Sequence, residues 1–261
     1  MPNNNDDFDN DGFTDLEEYL NELAAWPAPG EIIFTGNTNS RYASIFNWQV
    51  NGVTVNIAGS SVVTSSLWQP SRYDTAVISN HTVIVDAVGQ HAGSLRLTNS
   101  ATLNITNGWL AIANSFVNSS NSTVCVLAPG GLHITNSLLN AGTMLLSGNA
   151  AFTIAGTFTN TGTLDIMSWN GTLPAGLVNA GTVLDRTAIV LSSFEVAGSD
   201  FRAAIHGYPG HNYQLQYRDD LAVGDWQPVG SSIAGSNAPI QFVHSGGAAA
   251  QQRLYRVAVY P

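Results

Sequence analysis

The tetrapeptides Asn140-Ala-Gly-Thr143, Asn160-Thr-Gly-Thr163 and Asn179-Ala-Gly-Thr182 recur at nearly even spacing, starting at positions 140, 160 and 179, and each leads into an apolar run. A period of about 20 residues, with several very short strands per unit, is what one coil of a parallel β-helix requires. Runs such as Val53-Thr-Val-Asn-Ile57, His81-Thr-Val-Ile-Val85, Ala101-Thr-Leu-Asn-Ile105 and Trp109-Leu-Ala-Ile112 alternate with a period of two and are bounded by Gly, Asn and Ser. That is the signature of strands with one face buried. Stacked coils turn the inward Leu, Ile, Val and Phe side chains into continuous apolar ladders. Asn at the recurring turn positions is expected to take left-handed backbone or to bond its own main chain. The rival architecture is an antiparallel sandwich, which needs longer strands joined by hairpins.

The predicted fold is therefore all-β: a right-handed parallel β-helix over residues 31–197, with about 20 residues per coil. A short calcium loop, helix and linker (1–30) precede it, and a small antiparallel β domain or cap (198–261) follows. The helix is read from Leu16, Tyr19, Leu20 and Leu23, which recur at helical spacing behind an acidic first turn. Trp26-Pro-Ala-Pro-Gly30 stops it. In the last segment, Asn212-Tyr-Gln-Leu-Gln-Tyr217 and Arg253-Leu-Tyr-Arg-Val-Ala-Val259 are longer runs, suited to a small sheet that covers the open end of a solenoid.

Charge narrows the ligand classes. Charged residues are 10 % of the chain, all 8 basic residues are Arg, and eight of the 18 acids fall between Asp6 and Glu22. The remaining body is nearly neutral and has no Lys, so it lacks the means to hold nucleic acid or anionic lipid. A neutral polymer is the better expectation. The one cysteine, Cys125, allows no intrachain disulfide and is expected to pack as a small apolar residue. No stretch reaches the ~18 apolar residues of a membrane span. Met1-Pro2-Asn3 runs into acids rather than a leader, while the composition is that of an exported protein. The chain is therefore expected to be a portion of a longer secreted, extracellular protein and to be monomeric.

Asp7-Phe-Asp9-Asn-Asp11-Gly12-Phe13-Thr14-Asp15-Leu-Glu17-Glu18 matches a twelve-residue calcium loop at each constrained position. Asp7, Asp9 and Asp11 offer side-chain oxygens and Gly12 permits the turn. Phe13 offers its carbonyl, Asp15 acts through a water, and Glu18 closes the site with two oxygens. Carboxylates this close repel one another unless a cation sits among them. With only six residues ahead of the loop there is no incoming helix, so Ca²⁺ is expected to be structural. The alternative is a solvated acidic tail.

Sugar rings stack their C–H faces on aromatic rings, and Asn, Gln and Arg bond the hydroxyls. Trp48, Trp68, Tyr73, Trp109 and Trp169 lie in polar surroundings, with Arg72 beside Tyr73. These six residues are the candidate ligand platform; the competing role for each Trp is to plug a coil corner or end. The six histidines show no metal spacing and are expected to be isolated surface or turn residues.

The stretch Asp9-Asn-Asp-Gly-Phe-Thr-Asp-Leu-Glu-Glu-Tyr-Leu-Asn21 resembles the tail that follows the catalytic β-helix in bacterial secreted pectate lyases. Its loop is similar to the single calcium loops of dockerins and thrombospondin-type calcium repeats. Residues 68–110 resemble repeat-rich accessory regions of large secreted bacterial proteins, and 213–259 resemble their small β tails. The resemblance implies an accessory module of a plant-cell-wall enzyme, such as a β-helix carbohydrate-binding module attached to a xylanase or pectate lyase. Its ligand is expected to be xylan first and pectin second. Lyases and polygalacturonases of this fold carry acid clusters, whereas Asp74, Asp86, Asp165 and Asp185 are scattered here. A weak or vestigial lyase or hydrolase, and a plain spacer or adhesion segment, are the alternatives.

Overall fold

A computed structural model describes residues 31–36, 38–44, 47–50, 69–220 and 222–260. The calcium loop, the helix after it, the run 53–57 and Trp68 lie outside the described residues. Among the described residues there is no α-helix, and short 3-10 turns occur at Arg186–Ala188 and Gly247–Ala249.

The middle of the chain winds as a β-solenoid. Its first face stacks Glu31–Phe34, Thr75–Ser79, Ser94–Thr98, Ser115–Asn118, Ser137–Asn140, Thr157–Asn160 and Leu177–Asn179 in parallel, with Trp48–Val50 antiparallel at the outer edge. The second face stacks Thr82–Val85, Thr102–Ile105, Thr123–Leu127, Thr143–Ser147, Thr163–Asp165 and Thr182–Leu184. The third, shorter face stacks Gln90–Ala92, Trp109–Ile112, Gly131–Ile134 and Ala151–Ile154. Register partners show that the coil length varies. Thr75 pairs with Ser94, Leu95 with Phe116, Ser115 with Ser137, Ser137 with Thr157 and Phe158 with Leu177, so some coils are longer than their neighbours. Inward rows such as Leu103–Val124–Met144–Leu164 are fully buried, because the residues opposite one another on successive coils share one side of the sheet.

The Asn-x-Gly-Thr repeat is the corner between the first and second faces. Asn140 and Asn160 are buried and Asn179 at the end of the row is exposed; all three are stacked, and none is left-handed. Asn118 donates its amide to Asn140 Oδ1 at 2.7 Å, Asn140 to Asn160 at 2.7 Å and Asn160 to Asn179 at 2.6 Å. An amide carries both donors and acceptors, so identical side chains can satisfy one another indefinitely along a stack. The Gly follows from the same stacking: a Cβ on Gly162 would lie 2.1 Å from the Gly142 carbonyl oxygen, and one on Gly181 2.2 Å from that of Gly162. Left-handed asparagines occupy the same first-to-second-face corner in the earlier coils, at Asn80, Asn99 and Asn121.

The two ends of the apolar core are closed by aromatics. Phe34, Tyr42 and Trp48 form edge-to-face contacts at one end, and Trp48 donates its indole N–H to the Tyr42 carbonyl at 2.8 Å. Toward the other end, Trp169 packs on Phe152 and donates to the Ala150 carbonyl at 2.9 Å.

The antiparallel region begins at Leu191, earlier than residue 198, because Leu191–Ala197 pairs with Asp200–Gly207 and not with a coil. Ala238–His244 completes that three-stranded sheet. A second sheet centres on Asn212–Arg218, flanked by Leu254–Tyr260 on one side and by Gln227–Pro228 and Ile233–Ala234 on the other. Between the sheets lie Ile205, Tyr213, Leu215, Ile240 and Phe242. A buried contact joins this unit to the solenoid: His211 Nε2 lies 2.7 Å from Asp165 Oδ2.

Candidate functional site

The outward side of the third face brings together a group of residues that the sequence leaves far apart. Strand alternation turns His91, Trp109, Ala111, Gly131, His133, Ala151 and Thr153 outward while their neighbours enter the core. Register places them in two rows. One row is Trp109–Gly131–Ala151, and the other is His91–Ala111–His133–Thr153. Ala111 leaves a gap between the two histidines, and the indole of Trp109 fills it. Its ring centroid is 5.3 Å from His91 and 6.1 Å from His133, with the imidazoles nearly perpendicular to it. His133 is fixed in turn by Thr153 Oγ1, 2.8 Å from Nδ1.

The loop ahead of Asp74 extends this group. Gly93 ends the strand that carries His91, and a Cβ there would strike the backbone of Arg72, Tyr73 and Asp74 at 2.6–2.9 Å, so that loop lies directly against the coil. Tyr73 is 62 % exposed, and the Arg72 guanidinium sits 5.8 Å from its ring centroid. Arg72 also acts on His91. Partial burial first, and then the Arg72 charge, hold the His91 imidazole below its ordinary range.

The candidate platform residues therefore divide. Trp109 faces outward on the third face, and the loop carrying Arg72 and Tyr73 lies against the coil at the end of the strand that bears His91. Trp48 and Trp169 are buried and plug the core, so neither presents a ring to a ligand. Trp68 and the calcium ligands Asp7, Asp9, Asp11, Phe13, Asp15 and Glu18 lie outside the described residues. His91 and His133, expected to be isolated, both make edge-to-face contacts with Trp109. Their signal was present as offsets of one coil each, from 91 to 111 to 133, and became readable only with the true coil lengths.

The carboxylates of the described solenoid are occupied locally. Asp74 is buried and accepts from both the N–H and the hydroxyl of Ser71, at 2.8 and 2.7 Å. Asp86 pairs with Arg41 at 3.3 Å, Asp165 with His211, and Asp185 accepts from Thr187. The Thr187 bonds hold the Asp185 carboxyl below its ordinary range. Cys125 faces outward and is half-buried instead of entering the core, since Val124 and Val126 take the inward positions. Burial, and secondarily Asp165, push its thiol up and keep it protonated. Comparison with known proteins finds no matching family, no matching curated protein and no matching solved structure.

Proposed function

We propose that the solenoid is a non-catalytic carbohydrate-binding module and that the flank carrying Tyr73, His91, Trp109 and His133 is where an extended polysaccharide lies. The observation that supports this most is the clustering itself. A partly exposed tryptophan and two imidazoles occupy one side of successive coils, beside the small residues Ala111, Gly131 and Ala151, and the loop carrying the exposed Tyr73 packs against the end of the strand that bears His91. Aromatic rings supply the stacking surface, imidazoles and the Thr153 hydroxyl supply hydrogen bonds, and small neighbours keep the surface open to a chain. Coils about 4.8 Å apart repeat such features along a line. The scatter of carboxylates among local partners suits binding better than cleavage of a glycosidic bond, which calls for two carboxyl groups facing one another across it.

Affinity electrophoresis and calorimetry against xylans, pectins and glucans test the reading. Binding to at least one polymer is expected, with Trp109→Ala and Tyr73→Ala each weakening it by about tenfold, the scale of one lost ring contact. Absence of binding to every polymer contradicts the reading, and release of reducing ends or unsaturated products favours the enzymatic one. Calcium belongs to the same proposal as a structural ion at residues 7–18, in a secreted accessory part of a larger plant-wall enzyme. Chelation is then expected to lower thermal stability while glycan affinity is retained.

A further inference from the structure

Resting on that reading, we infer that the flank selects a carboxylate-bearing glycan, with Arg72 as the residue that receives the carboxylate. The argument is one of charge placement. The chain carries a formal charge of −10, yet the described outward residues of the third face include no Asp or Glu. The ionisable side chains gathered around Trp109 are bases, His91 and His133, and the loop at the Tyr73 end adds Arg72.

The acids closest in sequence do not cancel this. Asp74 turns its carboxylate to Ser71 and is buried, and Asp86 is held by Arg41. Partial burial and the Arg72 charge together disfavour the charged form of His91, whereas the Arg72 guanidinium keeps its charge at any ordinary pH. Arg41, Arg96, Arg202 and Arg253 each lie against a carboxylate of the chain. Arg72 instead is exposed and sits 5.8 Å from the Tyr73 ring centroid, with no carboxylate among the described residues paired to it. A planar guanidinium beside an exposed ring matches a sugar that is apolar on its face and anionic at its edge, because it can take both carboxylate oxygens at once.

The test is calorimetric titration of the full chain with oligomers of matched length. Oligogalacturonate, oligomannuronate and glucuronate-substituted xylo-oligosaccharide form the acidic arm, and plain xylo- and cello-oligosaccharides form the neutral arm. At least one acidic oligomer is expected to bind about tenfold tighter than its neutral counterpart, the difference shrinking with salt. Which acidic oligomer leads identifies the source of the carboxylate. Arg72→Gln is expected to lower affinity for the acidic oligomer about tenfold more than for the neutral one and so erase the preference, and Arg72→Lys to restore part of it, with circular dichroism confirming each fold. Equal affinity for acidic and neutral oligomers, or an Arg72→Gln loss shared equally by both, overturns the inference and leaves the binding-module reading intact. Failure of every oligomer to bind overturns both.

Discussion

The solenoid and the C-terminal unit protect apolar side chains by different means. In the solenoid each inward residue is covered above and below by its register partner, so the core needs closing only at its ends, where Trp48 and Trp169 sit. In the C-terminal unit coverage depends on the width of the opposing sheet. Phe201 stacks on Tyr255 at 3.7 Å, which places Leu254–Tyr260 beneath Asp200–Gly207. The next strand over, Leu191–Ala197, has no such partner among the described residues. Its core-facing side chains, opposite Phe201, Ala203 and Ile205, therefore remain open, and Phe194 is 72 % exposed. Parallel stacking makes coverage a property of the repeat. A sandwich must supply it strand by strand.

The largest expected effect contrasts two buried phenylalanines. Phe116→Ala in the solenoid and Phe242→Ala in the C-terminal unit should each cost about 4 kcal/mol. Hydrogen exchange should place each loss within its own region, and equal loss of protection across the whole chain would show one cooperative body instead. Asn140→Ala comes next. It removes one rung of the amide stack and leaves Asn160 Oδ1 without its donor, at about 2–3 kcal/mol. Denaturant titration should show the loss in the solenoid transition alone.

Smaller effects probe the junction and the edge. At the junction His211 donates from Nε2 to Asp165 Oδ2, while its buried Nδ1 has no hydrogen-bond partner among the described residues. Asp165→Asn should cost about 1–2 kcal/mol and should lower exchange protection of residues 212–218 as well as 163–165, since it weakens the contact that joins the regions. Acidification should act on the C-terminal unit through His244. Partial burial, then Arg253, hold that imidazole below 6.5, so the unfolded chain binds its proton first. The stability it contributes is complete above pH 6.5 and declines as the pH falls toward the lowered folded value. Thermal melts between pH 7 and 5 should show that slope, and His244→Gln should flatten it. Phe194→Ser should change stability by no more than about 0.5 kcal/mol, because there is little burial to lose.

The contrast also explains what was legible in the sequence. Repeats of Asn, Gly and Thr at one corner announce the coil, since a solenoid repeats its steric demands and its sequence must follow. The corner chemistry stayed hidden, because an Asn in a turn and an Asn in a buried amide stack look alike until the neighbouring coil is in view. Platform residues were half legible. Trp48 and Trp109 both sit in short alternating runs, and only register shows that one closes the core while the other fills the gap over Ala111. The boundary near Leu191 was blurred because Leu191-Ser-Ser-Phe-Glu-Val-Ala197 alternates as coil strands do.

Indole N–H resonances, followed by NMR while a bound polysaccharide fragment is added, test the central claim most directly. The Trp109 signal should move with increasing ligand, while those of the buried Trp48 and Trp169 and of Trp226 in the C-terminal unit stay in place. A Trp109 signal that never moves under saturating ligand, or movement confined to Trp226, would contradict the assignment of the binding flank to the third face of the solenoid.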